Sequence, residues 1–173
     1  MRIIAGKWRG RTIAAPVGEA TRPTSDRTRE ALFSMLASRV GSFEGLEVAD
    51  MFAGSGALGL EALSRGAARC TFVDHDRAAV EAIRANVAKL GVEADIRAGN
   101  AEHVRFTAPL DIVFLDPPYG SGLAAKVLPT LPLAAGAWVS VETSRGEQVS
   151  APGLEVEAER THGKAKITLL RRA

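Results

Sequence analysis

One cysteine, Cys70, stands in 173 residues, so no internal disulfide can staple the chain and its stability must come from a packed core. No window approaches the eighteen or so uninterrupted apolar residues of a membrane span. The opening Met1-Arg2-Ile3-Ile4-Ala5 carries no apolar run of signal-peptide length. Aromatic residues make up 5%, with a single tyrosine and two tryptophans, and there is neither an internal repeat nor a low-complexity segment. No His/Cys cluster has metal-ligand spacing, and His103 has nothing to pair with, so no metal site is expected. These absences point to a cytoplasmic protein without membrane partners, expected to be a monomer.

What is present is an ordinary globular composition, 46% hydrophobic and 24% charged, at a length that suits one domain with a small appendage. The net charge of +2 hides an uneven distribution. Residues 1–30 carry +4, residues 160–173 carry +5 without an acid, and the middle carries −7. Basic ends on an acidic body suggest a polyanion held by the termini.

Residues 2–5 and 11–14 are β-prone pieces around Gly6-Lys7-Trp8-Arg9-Gly10, a spacing that predicts a hairpin. Trp8 between Lys7 and Arg9 either stacks on a base beside phosphate-seeking cations or packs the hairpin onto the domain; composition weighs the two equally. Ser25 or Asp26 can cap a helix whose Ala31, Leu32, Met35 and Leu36 recur at helical spacing until Gly41. Arg22, Arg27 and Arg29 surround its first turn, where cations oppose the macrodipole and favour an anionic partner. Residues 1–40 are therefore expected to form an extension of hairpin and helix that meets an anionic partner, and 41–173 the main domain.

That domain alternates strands and helices. Leu46–Ala49 reads as a strand, followed by Asp50-Met51-Phe52-Ala53-Gly54-Ser55-Gly56 and a helix to Gly66. Gly54, Gly56 and Gly59 spell G-x-G-x-x-G, with Asp74 twenty residues after Gly54 at the end of a second strand. By itself this says only that a nucleoside-containing ligand sits at the first βα turn. A second helix follows from Asp76 to Gly91, then a strand over 92–97 with Gly99-Asn100-Ala101 at its C-terminal end, where open α/β sheets place ligands.

The fourth strand, Asp111 to Leu115, is a buried-type apolar run that stops at Asp116-Pro117-Pro118-Tyr119. Proline offers no N–H to a ladder and keeps the preceding residue extended, so Asp116 and Pro117 project stiffly. The Asp116 carboxylate and Pro117 carbonyl accept hydrogen bonds only, and the Tyr119 ring lies beside them. Such a ledge suits the exocyclic amine of a nucleobase. Residues 123–128 can be helical, 137–141 form a fifth strand ending at Glu142 and Thr143, and 154–160 with 165–170 read as a hairpin. The fold expected is α/β, a Rossmann-like doubly wound sheet of five βα repeats, mostly parallel, closed by an antiparallel hairpin.

With these motifs in place the chain resembles class I S-adenosylmethionine-dependent methyltransferases, and more narrowly the bacterial 16S rRNA guanine-N2 methyltransferases of the RsmD family. The likeness rests on M-R-I-I-A-G-K-W-R-G-R at the start, R-P-T-x-D-R-x-R-E at 22–30, D-x-F-A-G-S-G-A-L-G-L-E-A-L-S-R from 50 to 65, and D-P-P-Y. It implies S-adenosylmethionine as cofactor and 16S rRNA, within the small ribosomal subunit or an assembly intermediate, as partner. It also implies that Asp50, Phe52, Ala53, Gly54, Ser55 and Gly56 hold the methionine and ribose part. Asp74 with His75 would take the ribose hydroxyls, and Asn100 with Ala101 would flank the adenine. Asp116, Pro117 and Tyr119 would be the catalytic ledge, and Lys7, Trp8, Arg9, Arg22, Arg27 and Arg29 would hold RNA.

Other readings are weaker on the residues. Ring-carbon methylation needs a cysteine nucleophile, and Cys70, placed just before the second strand, is at the wrong end of the sheet. A dehydrogenase leaves D-P-P-Y without a role. A non-catalytic RNA-binding module has no need of a cofactor pocket. A DNA or RNA amino-methyltransferase acting on adenine N6 or cytosine N4 uses the same ledge, with only the absence of a target-recognition domain against a DNA substrate.

Overall fold

The apolar runs become strands of one seven-stranded sheet, seen in a computed structural model that describes residues 1–18 and 25–173. Arg22 lies outside the described residues. The elements are α1 (Asp26–Val40), β1 (Glu47–Asp50), α2 (Ala57–Ser64), β2 (Arg69–Asp74), α3 (Arg77–Leu90), β3 (Asp95–Ala98), β4 (Leu110–Leu115), α4 (Leu123–Val127), β5 (Leu133–Ser144), β6 (Leu154–His162) and β7 (Ala165–Arg172). The sheet order is β3-β2-β1-β4-β5-β7-β6, with β7 antiparallel to both neighbours and the other pairs parallel.

The Rossmann-like, mostly parallel sheet with its C-terminal hairpin is the expected fold. Two details differ. The connection from β3 to β4 holds only a 3₁₀ turn, Ala101–His103, so the βα alternation is interrupted there. The hairpin also folds back, so that β7 rather than β6 lies against β5. Strand β6 becomes the sheet edge, and its Glu155, Glu157, Glu159 and Arg160 discourage pairing with another chain.

Chain order places a topological switch between β1 and β4, because β1 to β3 run one way across the sheet and β4 to β5 the other. Ligands of open α/β sheets bind at the carboxyl ends of strands at such a point. The loops ending in Gly56 and beginning at Asp116 are the two that flank it.

Both faces of the sheet are covered. On one, Phe72, Ile112, Phe114, Trp138 and Leu169 pack against α1, α2, α3 and residues 3–13. On the other, Val73, Val113, Leu115, Val139 and Leu170 pack against α4 and the connecting loops. Phe33 of α1 sits 5.5 Å from the Phe114 ring, so α1 belongs to the same core as the central strand.

The first fourteen residues close as the expected short hairpin. Around the antiparallel Arg2–Thr12 bridge the Ile3 N–H donates to the Arg11 carbonyl, that of Gly10 to Ile3 and that of Ile13 to Met1, each at 2.9 Å, and the hairpin lies as an arm strapped across α2 and α3. The straps are polar and come from the helices. The buried Glu61 carboxylate accepts the N–H groups of Ile4 (2.8 Å) and Ala5 (3.0 Å), and Ser64 Oγ accepts that of Trp8 (3.0 Å) and donates to the Ala5 carbonyl (2.6 Å). Gly6 makes this approach possible, because a Cβ there would stand 1.9 Å from the Ser64 carbonyl oxygen.

Burial corrects two of the RNA contacts expected from sequence. Arg29 is fully buried, paired with Asp26, 3.8 Å from Glu61 and donating to the Arg2 carbonyl at 2.9 Å. An arginine desolvated among two carboxylates has no face left for phosphate. Trp8 is 9% exposed and sits in the core with the Lys7 ammonium 4.6 Å over its ring, so it packs the arm rather than stacking on a base. Lys7, Arg9 and Arg27 remain exposed.

Candidate active site

Loops converge at the carboxyl edge of the sheet, and those after β1 and β3 continue the strand ladder before turning away. The Met51 N–H donates to the Phe114 carbonyl, that of Ala53 to Val73, and that of Gly99 to Asp74, each at 3.0 Å. The loop after β1 is thus held on both flanks by the strands beside it.

Gly54 and Gly56 have φ of +58° and +83°, values that disfavour any side chain, and Gly56 caps α2 in the left-handed conformation. Gly59 serves packing, since a Cβ there would lie 2.4 Å from the Phe72 ring and 2.6 Å from Cys70 Sγ. These are the three glycine roles of a nucleoside-binding turn. Ala53 and Ser55 are buried and Phe52 is half-buried, so the loop presents mainly backbone.

The two acids of the motif are wired to the loop. Asp74, at the end of β2, accepts the N–H of Gly54 on one oxygen and that of Asp76 on the other, both at 2.9 Å. Asp50 accepts the Gly59 N–H at 3.0 Å and is 2% exposed. Burial pushes its pKa up to about 7, the Gly59 hydrogen bond pulls it down and the negative Asp74 adds to the rise. A buried carboxyl poised near neutrality suits a ligand that brings a positive charge. His75 is exposed, its Nδ1 3.9 Å from Asp74. Asn100 caps the 3₁₀ turn through the Glu102 N–H, and Ala101 is buried behind it.

Sequence reasoning missed Asn86. This buried side chain on α3 accepts the N–H of Ala14 and donates to the carbonyls of Ala14 and Ser55, each at 2.9 Å. It clamps the glycine loop to the N-terminal arm. The one legible signal was a polar residue at a position continuing the Ala79, Val80, Ile83 face of α3.

Across the switch point, β4 delivers Asp116, which is half-buried, Pro117, which is buried, and Tyr119, 40% exposed. Leu115 pairs with Val141, so Asp116 and Glu142 stand side by side on one face. A small cleft opens there, lined by Leu32, Leu58, Leu115, Asp116, Ser140, Glu142 and Ile167. Behind it Glu147 accepts the Gly120 N–H at 2.8 Å and the Ser144 hydroxyl at 2.7 Å, and these hydrogen bonds hold its carboxyl below the usual glutamate range.

Cys70 lies within β2, paired with Val48, and not before it as the sequence suggested. It is 2% exposed, and burial drives its thiol well above the ordinary value, so it is no nucleophile. Among the described residues there is no cluster that could hold a metal ion, and no helix long and apolar enough to cross a membrane.

Residues 1–171 match the family model described as Conserved hypothetical protein 95. The ribosomal RNA small subunit methyltransferase D of Escherichia coli is 44% identical over 137 residues, a match that covers 74% of this chain and 65% of the relative's own length. The protein of that name from Haemophilus influenzae is 36% identical over 163 residues, covering 88% and 83%. A solved structure of a putative methyltransferase from Escherichia coli superposes with a TM-score of 0.86 at 37% identity, covering 99% of this chain and 97% of that one.

Proposed function

The chain belongs to the Conserved hypothetical protein 95 family, the RsmD-type 16S rRNA methyltransferases, and from that premise we propose that it methylates the N2 amine of a guanine in 16S rRNA, with S-adenosylmethionine as donor. The observation that carries this reading is the convergence, at one switch point, of a glycine turn that fits a nucleoside and an Asp-Pro-Pro-Tyr ledge that fits an aromatic amine.

The residues around the turn fit the cofactor. Backbone from Phe52 to Gly56 and the Asp50 carboxylate would hold the methionine part, Asp74 and His75 the ribose, and Asn100 with Ala101 the adenine. When bound, it supplies a methyl group on a sulfonium, which needs no covalent enzyme intermediate.

The ledge does the rest. The guanine amine is a poor nucleophile because its lone pair is delocalised into the ring. Asp116 and the Pro117 carbonyl would each accept one N–H, orienting the nitrogen and favouring its pyramidal form. Positive charge grows on that nitrogen during transfer, and a carboxylate already in place stabilises it without reorganisation. Tyr119 would stack on the base once it leaves its helix or loop.

Lys7, Arg9 and Arg27 are proposed to meet rRNA phosphates, with residues 1–40 as the RNA-facing part and 41–173 as the catalytic part. Their exposure supports the assignment. The test of the chemistry is Asp116→Ala. Turnover on unmodified small subunits should fall by ~10²-fold or more while calorimetric affinity for S-adenosylmethionine stays within a few-fold; near-normal turnover would end the proposal.

A further inference from the structure

An acceptor ledge such as Asp116-Pro117 takes any exocyclic amine, so the base must be chosen elsewhere. We infer that Glu142 makes this choice by accepting the N1–H of the target guanine. The inference rests on the proposed methyl transfer and deepens it.

Three observations lead to Glu142. It is placed beside Asp116 by the parallel register of β4 and β5, and the two carboxylates share the cleft. Neighbouring strands are ~4.8 Å apart, so two such side chains can address adjacent donors along one planar edge. The cleft walls are apolar, with Leu32 from α1, Leu58 from α2 and Ile167 from β7, which suits the faces of a heterocycle. No described residue hydrogen-bonds or ion-pairs with the Glu142 carboxylate. Lys166, opposite Thr143 on the neighbouring β7, is engaged with the Glu147 carbonyl at 2.5 Å and with Glu159 at 3.9 Å.

Two neighbouring carboxylates present adjacent acceptors, and a ligand edge with two adjacent donors satisfies both. Guanine has such an edge, N2–H beside N1–H. In adenine the atom beside the amine-bearing carbon is N1, an acceptor; in cytosine it is N3, also an acceptor. Either would set a lone pair against Glu142. A site built for a donor rejects the analogue that lacks it because a buried polar group is then left unpaired. Glu142 therefore acts as a specificity residue beside the catalytic ledge, and it separates guanine from the adenine and cytosine alternatives that the ledge alone leaves open.

The test uses small subunits carrying, at the methylated position, either guanine or 2-aminopurine, which keeps the amine but replaces N1–H by an acceptor nitrogen. The wild-type protein should prefer guanine by roughly 10²-fold or more. Glu142→Gln, whose amide can donate to that nitrogen, should narrow the ratio by about tenfold or more. Glu142→Ala should lower the guanine rate and also narrow the ratio, with calorimetric affinity for S-adenosylmethionine unchanged in both variants as the check on folding. An unchanged ratio in both variants, with N2-methylguanine still the product, overturns the role of Glu142 alone. If the wild-type product is a methylated adenine or cytosine, the proposed function falls and this inference with it.

Discussion

Asn86 donates a hydrogen bond to the carbonyl of Ser55, 2.9 Å away in the glycine loop, and the same side chain brackets the backbone of Ala14 from both sides. One buried amide thus fixes the glycine loop against the N-terminal arm. Asn86→Ala would leave two carbonyls and one N–H without partners. The expected cost is about 2–4 kcal/mol of stability by chemical denaturation, with weaker S-adenosylmethionine binding by calorimetry. Binding and stability both within error of wild type would show that the loop holds itself.

Gly6 tests how the arm is docked. Its φ is +85° and an added Cβ would press on the Ser64 carbonyl, a backbone atom at the end of α2 that cannot swing aside. Gly6→Ala should lift the arm, costing about 2 kcal/mol or more. In a Trp138→Phe background, Trp8 emission should shift to the red as its ring leaves the core. An unshifted spectrum would mean that the arm stays seated.

Asp50 opposes stability in return for its position. Its folded pKa of about 7 is above the ordinary 3.8, so between those values the folded protein binds more protons than the unfolded chain and stability falls as pH rises. Asp50→Asn keeps an acceptor for the Gly59 N–H and removes the charge. The variant should match wild type near pH 4 and exceed it at pH 8 by at most ~4 kcal/mol, while losing affinity for a cationic cofactor. Parallel stability curves for the two proteins would refute the assignment.

Glu147 latches the loop that follows the ledge by accepting the Gly120 N–H. Its folded pKa is lowered, so its contribution is complete above the unfolded value of 4.5 and is lost as pH falls through the lower folded value. Glu147→Ala should speed amide hydrogen exchange at Gly120 at neutral pH, and in wild type the same exchange, corrected for its intrinsic pH dependence, should loosen only in acid. Equal protection in both proteins would remove the latch.

The parts legible in the sequence are those governed by local rules. An apolar run broken by two prolines is a strand end wherever it occurs, and G-x-G-x-x-G after a strand is a turn into a helix, so the sheet, the glycine loop and the Asp116 ledge could be read directly. What escaped depended on partners distant in the chain. Arg29 reads as a phosphate-seeking cation until Glu61, thirty-two positions on, is seen to bury it. The acid inside A-L-G-L-E-A-L-S was the available sign that something charged or amide-rich packs there. Trp8 could not be assigned because core packing and base stacking ask for the same flat apolar ring, and only its 9% exposure separates them. Glu142 was hidden by register, since its placement beside Asp116 follows from how β5 pairs with β4.

The proposed function turns on which atom receives the methyl group. Unmodified small ribosomal subunits incubated with the protein and isotope-labelled S-adenosylmethionine, then digested and mapped by mass spectrometry, report it directly. The expected result is label in N2-methylguanosine at one position of 16S rRNA. Label in N6-methyladenosine or N4-methylcytidine, or none in rRNA, would contradict it.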